Sequence, residues 1–186
     1  MNADAKIKLL QTEIETGNQD AYRQLFNLLY PNLYRFAFSL TKNKELSEEI
    51  VSDVFINIWR KKETIAAIDN LKLYLYISAK NTSLNYLSKL AKEKLVSIDQ
   101  LNPFAALPFS NPEQVLVSKE MNTRIHRAIE ALPPQAKLIF ILTKELGFSY
   151  KEAAALLNLS AGTIDNQLVI ALKKLSKSLH YQFIKK

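Results

Sequence analysis

The chain has 186 residues, of which 25 are basic and 18 are acidic, so its formal net charge is +7. It contains no cysteine, which excludes disulfides, cysteine-bound zinc and thiol nucleophiles, and its two histidines are too few for a histidine-rich metal site. A chain of this length forms one ordinary domain or two small ones, each with a modest core. We therefore expect the fold to depend on side-chain packing alone.

The sequence shows no pattern typical of a membrane span or an export signal. The densest apolar runs, 138–142 and 168–172, are five residues long, whereas a bilayer span needs about 20. The N-terminal residues lack a charged segment followed by an apolar one, as a signal peptide would have. We therefore expect a cytoplasmic protein without membrane insertion.

The charge is unevenly distributed along the chain. Residues 1–94 carry 14 basic and 11 acidic side chains and residues 119–186 carry 11 and five, while residues 95–118 carry two acids and no base. Three prolines fall within ten residues of this middle stretch, and proline disfavours a regular helix. We therefore predict an N-terminal domain at 1–94, a flexible linker at 95–118 and a C-terminal domain at 119–186.

Apolar residues recur at helical spacing in both domains, and only three glycines with no Asn-Gly pair argue against sheet. The first periodic segment is 20–41, in which Pro31 is expected to kink or divide the helix. The second is 47–62, with Ser47 as a partial capping signal, and the third is about 70–91. We predict an all-α fold.

The C-terminal domain has the spacing of a helix-turn-helix. A helix over 132–146 is expected to end at Gly147, and a Ser-x-x-Glu capping box begins a short helix over 149–157. Asn158 suits the left-handed turn, and a longer helix follows over about 161–179. In a helix-turn-helix the second helix lies in the major groove, and the surplus of basic residues favours phosphate contact. An ordinary helical hairpin gives the same pattern and stays open at this point.

Five short motifs in this chain resemble the extracytoplasmic-function group of bacterial sigma-70 factors. Three lie in the C-terminal domain, at 132–135 (LPPQ), 148–154 (FSYKEAA) and 159–164 (LSAGTI). Two lie in the N-terminal domain, at 48–59 (EEIVSDVFINIW) and 73–81 (LYLYISAKN). They occur in the order of the family, with the predicted linker between them.

The resemblance implies three binding surfaces. In the family an acidic, partly aromatic helix binds the largest subunit of core RNA polymerase, and the residues that match it are Glu49, Asp53, Phe55, Asn57 and Trp59. The next helix melts and reads the −10 promoter element, and its candidates are Asn70, Lys72, Tyr74, Tyr76, Lys80, Asn81, Asn85 and Lys89. The recognition helix reads the −35 element, and its candidates are Ser160, Thr163, Asn166, Gln167, Lys173 and Lys174.

The residue types in the −10 set suit single-stranded DNA, because rings stack on unpaired bases, amides read base edges and lysines neutralise phosphate. Positions two apart do not share a helix face, so Tyr74 and Tyr76 cannot both face DNA, and one of them is expected in the core. Asn70 is the only amide of the expected loop 63–71, which in the family captures a flipped-out base. Burial in the core is also a possible role for Phe55 and for Trp59.

The −35 set has amides where many relatives carry arginines. No arginine lies in 165–170, and Asp165 would repel phosphate if it faced DNA. Asparagine and glutamine bond adenine in a bidentate manner. This departure from the family pattern therefore predicts an A-rich −35 site rather than one read by arginine. Solvent exposure without DNA contact is the alternative role for these side chains.

The resemblance predicts a sigma factor that directs promoter-specific initiation, with core RNA polymerase, promoter DNA and an anti-sigma factor as partners. The alternatives are a helix-turn-helix regulator with an N-terminal sensing or dimerisation domain, and a helical adaptor that binds no nucleic acid. No paired carboxylate, Ser-His pair or Gly-rich phosphate loop stands out. We therefore expect no enzyme activity, no cofactor and no metal.

Overall fold

The computed structural model describes residues 3–94 and 119–183. The chain divides into two compact units, Met1–Pro103 and Phe104–Lys186. Every regular element within the described ranges is a helix, and the predicted all-α architecture with two small helical domains is confirmed. The predicted linker at 95–118 lies outside the described residues.

Three long helices form the body of the N-terminal unit. Helices α2 (Gln19–Thr41), α3 (Lys44–Arg60) and α4 (Leu71–Lys94) pack on one another. They bury side chains that include Leu25, Phe36, Ile50 and Tyr76. Helix α1 packs against α2 and against a short 3-10 helix that precedes α4. The other bounds are α1 Ala3–Glu15 and the 3-10 helix Lys62–Ala67.

A buried amide joins α1 to the 3-10 helix. The Gln11 side chain is buried, and its Nε2 donates to the carbonyl oxygens of Ile65 at 2.5 Å and Ile68 at 2.7 Å. A buried amide is tolerated when it is hydrogen-bonded in this way. Neither element was predicted, and the 3-10 helix occupies part of the expected loop 63–71.

Asparagine side chains cap three helices of this unit, namely Asn18 for α2, Asn43 for α3 and Asn70 for α4. Each accepts hydrogen bonds from backbone N–H groups in the first turn, which the helix itself leaves without partners. The predicted capping role of Ser47 is therefore wrong. Helix α3 begins three residues earlier, and Ser47 is buried with its Oγ 2.7 Å from Oγ1 of Thr41.

Three residues inside the predicted helices are exposed, namely Pro31, Leu84 and Leu172. Helix α2 runs through Pro31 as one element, and Pro31 is exposed. Leu84 lies at an apolar helical spacing in α4 but is exposed, because Ser83 and Leu87 occupy the buried side. Leu172 of the last helix is also exposed.

The C-terminal unit contains four α-helices within 119–183, and α6 continues directly into a π-helical turn, Ile141–Glu145. Lys137 of α6 is buried, and its Nζ donates to Oε2 of Glu130 in α5 at 2.6 Å. This ion pair joins α5 to α6, and one hydrophobic cluster joins these two helices to α8. The bounds are α5 Lys119–Glu130, α6 Pro134–Phe140, α7 Tyr150–Leu157 and α8 Ala161–Phe183. The buried cluster is Ala128, Ile129, Leu132, Ala136, Ala171 and Leu175.

The predicted helix-turn-helix is formed by α7 and α8. Ser149 and Glu152 form the complete capping box, and α7 ends at Asn158, whose φ of 57° is left-handed. The two helices are bent by 105°, within the range of helix-turn-helix motifs. No single described helix is long and apolar enough to cross a membrane, and only this bent pair could by length and composition.

Candidate functional site

The outer side of α3 carries the first predicted surface. Glu49 and Asn57 are exposed and Asp53 is half-buried. The Tyr86 hydroxyl of α4 donates to Oε1 of Glu49 at 2.8 Å. This hydrogen bond raises the pKa of Tyr86, because it favours the protonated phenol, and slight burial and the charges of Glu49 and Asp53 act in the same direction. The Tyr86 side chain therefore connects the acidic surface of α3 to α4 through a hydrogen bond.

Two aromatic residues of the predicted polymerase set lie on the side of α3 that faces α2. Phe55 is only 1% exposed, and its ring centroid lies 4.8 Å from Phe26 and 6.3 Å from Tyr22. The ring therefore fills the core, which was the alternative role for Phe55, and its burial argues against the predicted contact with polymerase. Trp59 is half-buried, 4.9 Å from Tyr22, and stays partly accessible.

A groove of about 470 Å³ lies between α2 and α3 and was not predicted. Ile56 forms part of its wall and is exposed. Ile56 lies three residues after Asp53 and seven after Glu49, so helical spacing could have placed it beside the acidic surface. The lining residues are Gln19, Tyr22, Arg23, Phe26, Ile56, Trp59 and Arg60.

The outer side of α4 carries the second predicted surface. Tyr74, Asn81 and Asn85 are exposed and lie at spacings of seven and four residues, which place them on one helix face. Tyr76 is 1% exposed and packs on Phe36 with ring centroids 5.1 Å apart. The prediction that only one of the two tyrosines faces outward is confirmed, and Tyr76 is removed from the −10 set because it belongs to the core.

The remaining members of the −10 set surround this face. Lys72 and Lys80 are half-buried, while Lys89 is exposed with its Nζ 6.0 Å from the ring centroid of Tyr86. Asn70 is exposed at the start of α4, where its Oδ1 accepts from the backbone N–H of Leu73 at 2.9 Å. Asn70 therefore has a capping role besides the predicted role in base capture.

The third predicted surface is the outer side of α8. Ser160 caps this helix, since its Oγ accepts from the backbone N–H of Thr163 at 3.0 Å and lies 2.9 Å from the Thr163 hydroxyl oxygen. Thr163 and Gln167 are half-buried. Asn166, Lys173 and Lys174 are exposed. All six predicted −35 residues therefore remain at least partly accessible.

Two exposed aliphatic residues join this surface and were not predicted. Val169 is 41% exposed and Ile170 is 40% exposed, next to the amides of Asn166 and Gln167. The predicted −35 set contains only polar side chains. Val169 follows Asn166 by three residues and Ile170 follows Gln167 by three, and this helical spacing could have shown that they lie beside the amides.

The three surfaces differ in the chemistry of their exposed side chains. Among the described residues, no group of three or more histidine, aspartate or glutamate side chains could hold a metal ion. Acidic, aromatic-amide and amide-lysine surfaces match protein, single-stranded DNA and duplex DNA respectively. The fold and surfaces thus define a helical protein with a helix-turn-helix unit.

Comparison with protein families specifies this class. Residues 25–93 match the model of sigma-70 region 2, and residues 122–175 match the model of sigma-70 region 4. Together the two matches cover well over half of the chain. The chain belongs to the extracytoplasmic-function group of the sigma-70 family and is a sigma factor.

The chain is similar to individual members of this group. It is 26% identical over 171 residues to the ECF RNA polymerase sigma-E factor of Escherichia coli K12, with 87% of each chain covered. It is 22% identical over 156 residues to the ECF RNA polymerase sigma factor SigE of Mycolicibacterium smegmatis, covering 82% of this chain and 60% of that protein.

Two solved structures share the fold. One is the sigma factor RpoE in complex with the anti-sigma factor NepR from Bartonella quintana, at 25% identity and a TM-score of 0.56, covering 86% of this chain and 96% of that chain. The other is CnrH in complex with the cytosolic domain of CnrY, at 21% identity and a TM-score of 0.53, covering 97% and 99%. The likeness to CnrH concerns the fold alone.

Proposed function

We propose that this sigma factor binds bacterial core RNA polymerase and directs promoter-specific transcription initiation. The single observation that carries the proposal is the presence of both sigma-70 regions in one chain, in family order. In this proposal 1–94 binds polymerase and the −10 element, 95–118 is the linker, and 119–186 reads the −35 element.

Each step is assigned to one exposed surface. Polymerase binds the acidic side of α3, through Glu49, Asp53, Asn57 and Trp59. Promoter melting uses the outer side of α4, where Tyr74 stacks on an unpaired base and the neighbouring amides read base edges. The −35 element is bound by the outer side of α8. The α4 set also keeps Asn70, Lys72, Lys80, Asn81, Asn85 and Lys89, and the α8 set is Ser160, Thr163, Asn166, Gln167, Lys173 and Lys174.

The proposal extends to location and regulation. The chain acts in the cytoplasm, where its template is, and has no catalytic activity or cofactor of its own. An anti-sigma factor is the expected regulator, which is supported by the similarity to RpoE, whose structure was solved with the anti-sigma factor NepR. The alternative regulator with a sensing or dimerisation domain is disfavoured, because the N-terminal unit matches sigma-70 region 2.

Reconstitution with purified core polymerase from the same organism tests the proposal. We expect run-off transcripts from a subset of genomic promoters only when both components are present. The double variant Glu49→Lys and Asp53→Lys should lose core binding, while Glu15→Lys, an exposed change on α1, should retain it. Absence of any specific transcript with an active core, or full binding by the double variant, would contradict the proposal.

A further inference from the structure

The outer side of α8 combines amide and aliphatic side chains in a way that suits one kind of base pair. We propose that Ile170 contacts thymine methyl groups in the major groove, so that the −35 element is read as A·T pairs. The inference rests on the proposed function of α8 and specifies the sequence that it binds.

Helical spacing places Ile170 at the centre of the predicted DNA surface. It follows Gln167 by three residues and Asn166 by four, and it precedes Lys174 by four, so all four side chains share one side of α8. Its 40% exposure contrasts with Leu168 and Ala171, which are buried. The aliphatic group is therefore presented outward with the amides.

The chemistry of base edges makes thymine the matching partner. In the major groove the thymine C5-methyl group is the apolar feature of a base pair, and the adenine opposite it offers the N7 and N6 groups that an amide bonds bidentately. An A·T pair thus satisfies an amide and an aliphatic side chain placed side by side. Guanine is read mainly by arginine or lysine, and α8 contains no arginine.

Lysines beyond Ile170 supply the phosphate contacts that such a helix needs. Lys173 and Lys174 are exposed, and Lys174 lies eight residues after Asn166, about 12 Å along the helix at 1.5 Å per residue. That length is close to the width of the major groove, about 12 Å. The amides can therefore face base edges while the lysines reach the phosphates at the rim.

Leu172 provides a matched control. It is 45% exposed and aliphatic like Ile170, but it lies seven residues after Asp165, on the side of the helix that carries this acid. A carboxylate facing DNA would be repelled by phosphate, so this side is expected to point away from the duplex. Leu172 should not contact a base.

The test begins with the holoenzyme, made from the full chain and core polymerase. A library of promoter duplexes randomised across the −35 element is selected for binding, and the selected element is expected to be rich in A·T pairs. Each selected thymine is then replaced singly by deoxyuridine, which removes only the methyl group. Wild-type affinity should fall about three- to fivefold at one or two thymines, the effect of burying roughly one methyl group.

The protein variants identify the side chain responsible. With Ile170→Ala the thymine and deoxyuridine promoters should bind equally, whereas Leu172→Ala should keep the wild-type difference. Ile170→Arg, which replaces the aliphatic contact with a guanine-reading group, should shift the preferred pair at that position toward G·C. Circular dichroism verifies that each variant remains folded.

Three results would overturn the inference. They are a G·C-rich selected element, a wild-type protein indifferent to deoxyuridine, and an Ile170→Ala variant that still discriminates thymine. Unchanged DNA binding by Ile170→Ala would instead indicate that this apolar side contacts a protein. If the holoenzyme forms but no −35 sequence is enriched, the proposed role of α8 itself fails, which is a distinguishable outcome.

Discussion

The two helices proposed to contact DNA differ in their exposed side chains. Helix α4 presents an aromatic ring, Tyr74, beside the amides Asn81 and Asn85, while the described side chains of α8 present amides with Ile170 and no ring. A ring stacks on a base only after the base has left the duplex, whereas a methyl group and an adenine edge are read within an intact major groove. The comparison indicates that α4 is suited to melted DNA and α8 to duplex DNA.

The largest expected effect separates the two tyrosines of α4. Tyr76→Ala should lower the free energy of unfolding by about 3–5 kcal/mol, because it removes a fully buried aromatic side chain. Tyr74→Ala, at 36% exposure, should cost clearly less, about 1 kcal/mol, because only part of its ring is covered. Urea unfolding followed by the fluorescence of Trp59, the single tryptophan, reports on this unit. Equal losses from the two changes would contradict the assigned orientation of α4.

Promoter opening is the next expected effect. Tyr74→Ala and Asn81→Ala should each reduce opening about tenfold, since a base stacked on a ring and an amide bonded to a base edge each contribute about 1–3 kcal/mol. Permanganate reactivity of thymines around the −10 element measures this step. Asn27→Ala changes another exposed amide of the same unit, on α2, and should have no effect. If duplex binding falls but opening of bound promoters does not, α4 is not the helix that engages melted DNA.

The lysines of α8 should act on salt dependence rather than on sequence. Lys173→Ala and Lys174→Ala should each reduce by about one the slope of log affinity against log salt, because each removes one phosphate contact. Asn166→Ala should leave the slope unchanged and relax preference at one base pair. Holoenzyme binding to the selected promoter from low to moderate salt measures both. A lysine variant that alters base preference would remove the distinction between positioning and reading residues.

Local sequence signals were sufficient for most of the C-terminal unit. The capping box at Ser149, the left-handed turn at Asn158 and the positive φ at Gly147 each follow from the chemistry of one residue and its neighbours. The same reasoning gave the wrong cap at Ser47, because the side chain of Asn43, four residues earlier, caps this helix instead. Short-range rules locate helix ends well where a single candidate is present.

The exposed surfaces were harder to predict, because exposure depends on which neighbour covers a side chain. Spacing alone showed that Tyr74 and Tyr76 point apart, but only the packing of Phe36 shows which of them is buried. The burial of Phe55 could not be predicted for the same reason, since Tyr22 and Phe26 of α2 cover its ring. The exposed aliphatic side of α8 was missed because apolar residues in an amphipathic helix were expected to face the core.

The smallest expected effect concerns the hydrogen bond that joins the acidic surface of α3 to α4. Tyr86→Phe removes only the hydroxyl that donates to Glu49, and it should weaken core polymerase binding about two- to fivefold, a modest value because the bond is solvent-exposed. The double variant Tyr86→Phe and Glu49→Ala should bind core polymerase no more weakly than Glu49→Ala alone, since the Tyr86 hydroxyl acts through the Glu49 carboxylate. Additive losses would show that Tyr86 acts independently of Glu49.

The pKa of Tyr86 sets the pH range of this effect. The pKa is raised above the ordinary value of 10.0, chiefly by the hydrogen bond to Glu49, so the phenol keeps its proton at neutral and mildly alkaline pH, and the bond is lost as pH rises through the folded-state pKa. The difference between wild type and Tyr86→Phe should therefore be constant from about pH 7 to 9. Tyr74→Phe, which keeps an exposed ring on the same helix, should bind core like wild type. A pH-dependent difference within that range would mean that another group, rather than the Tyr86 hydroxyl, orients the acidic surface of α3.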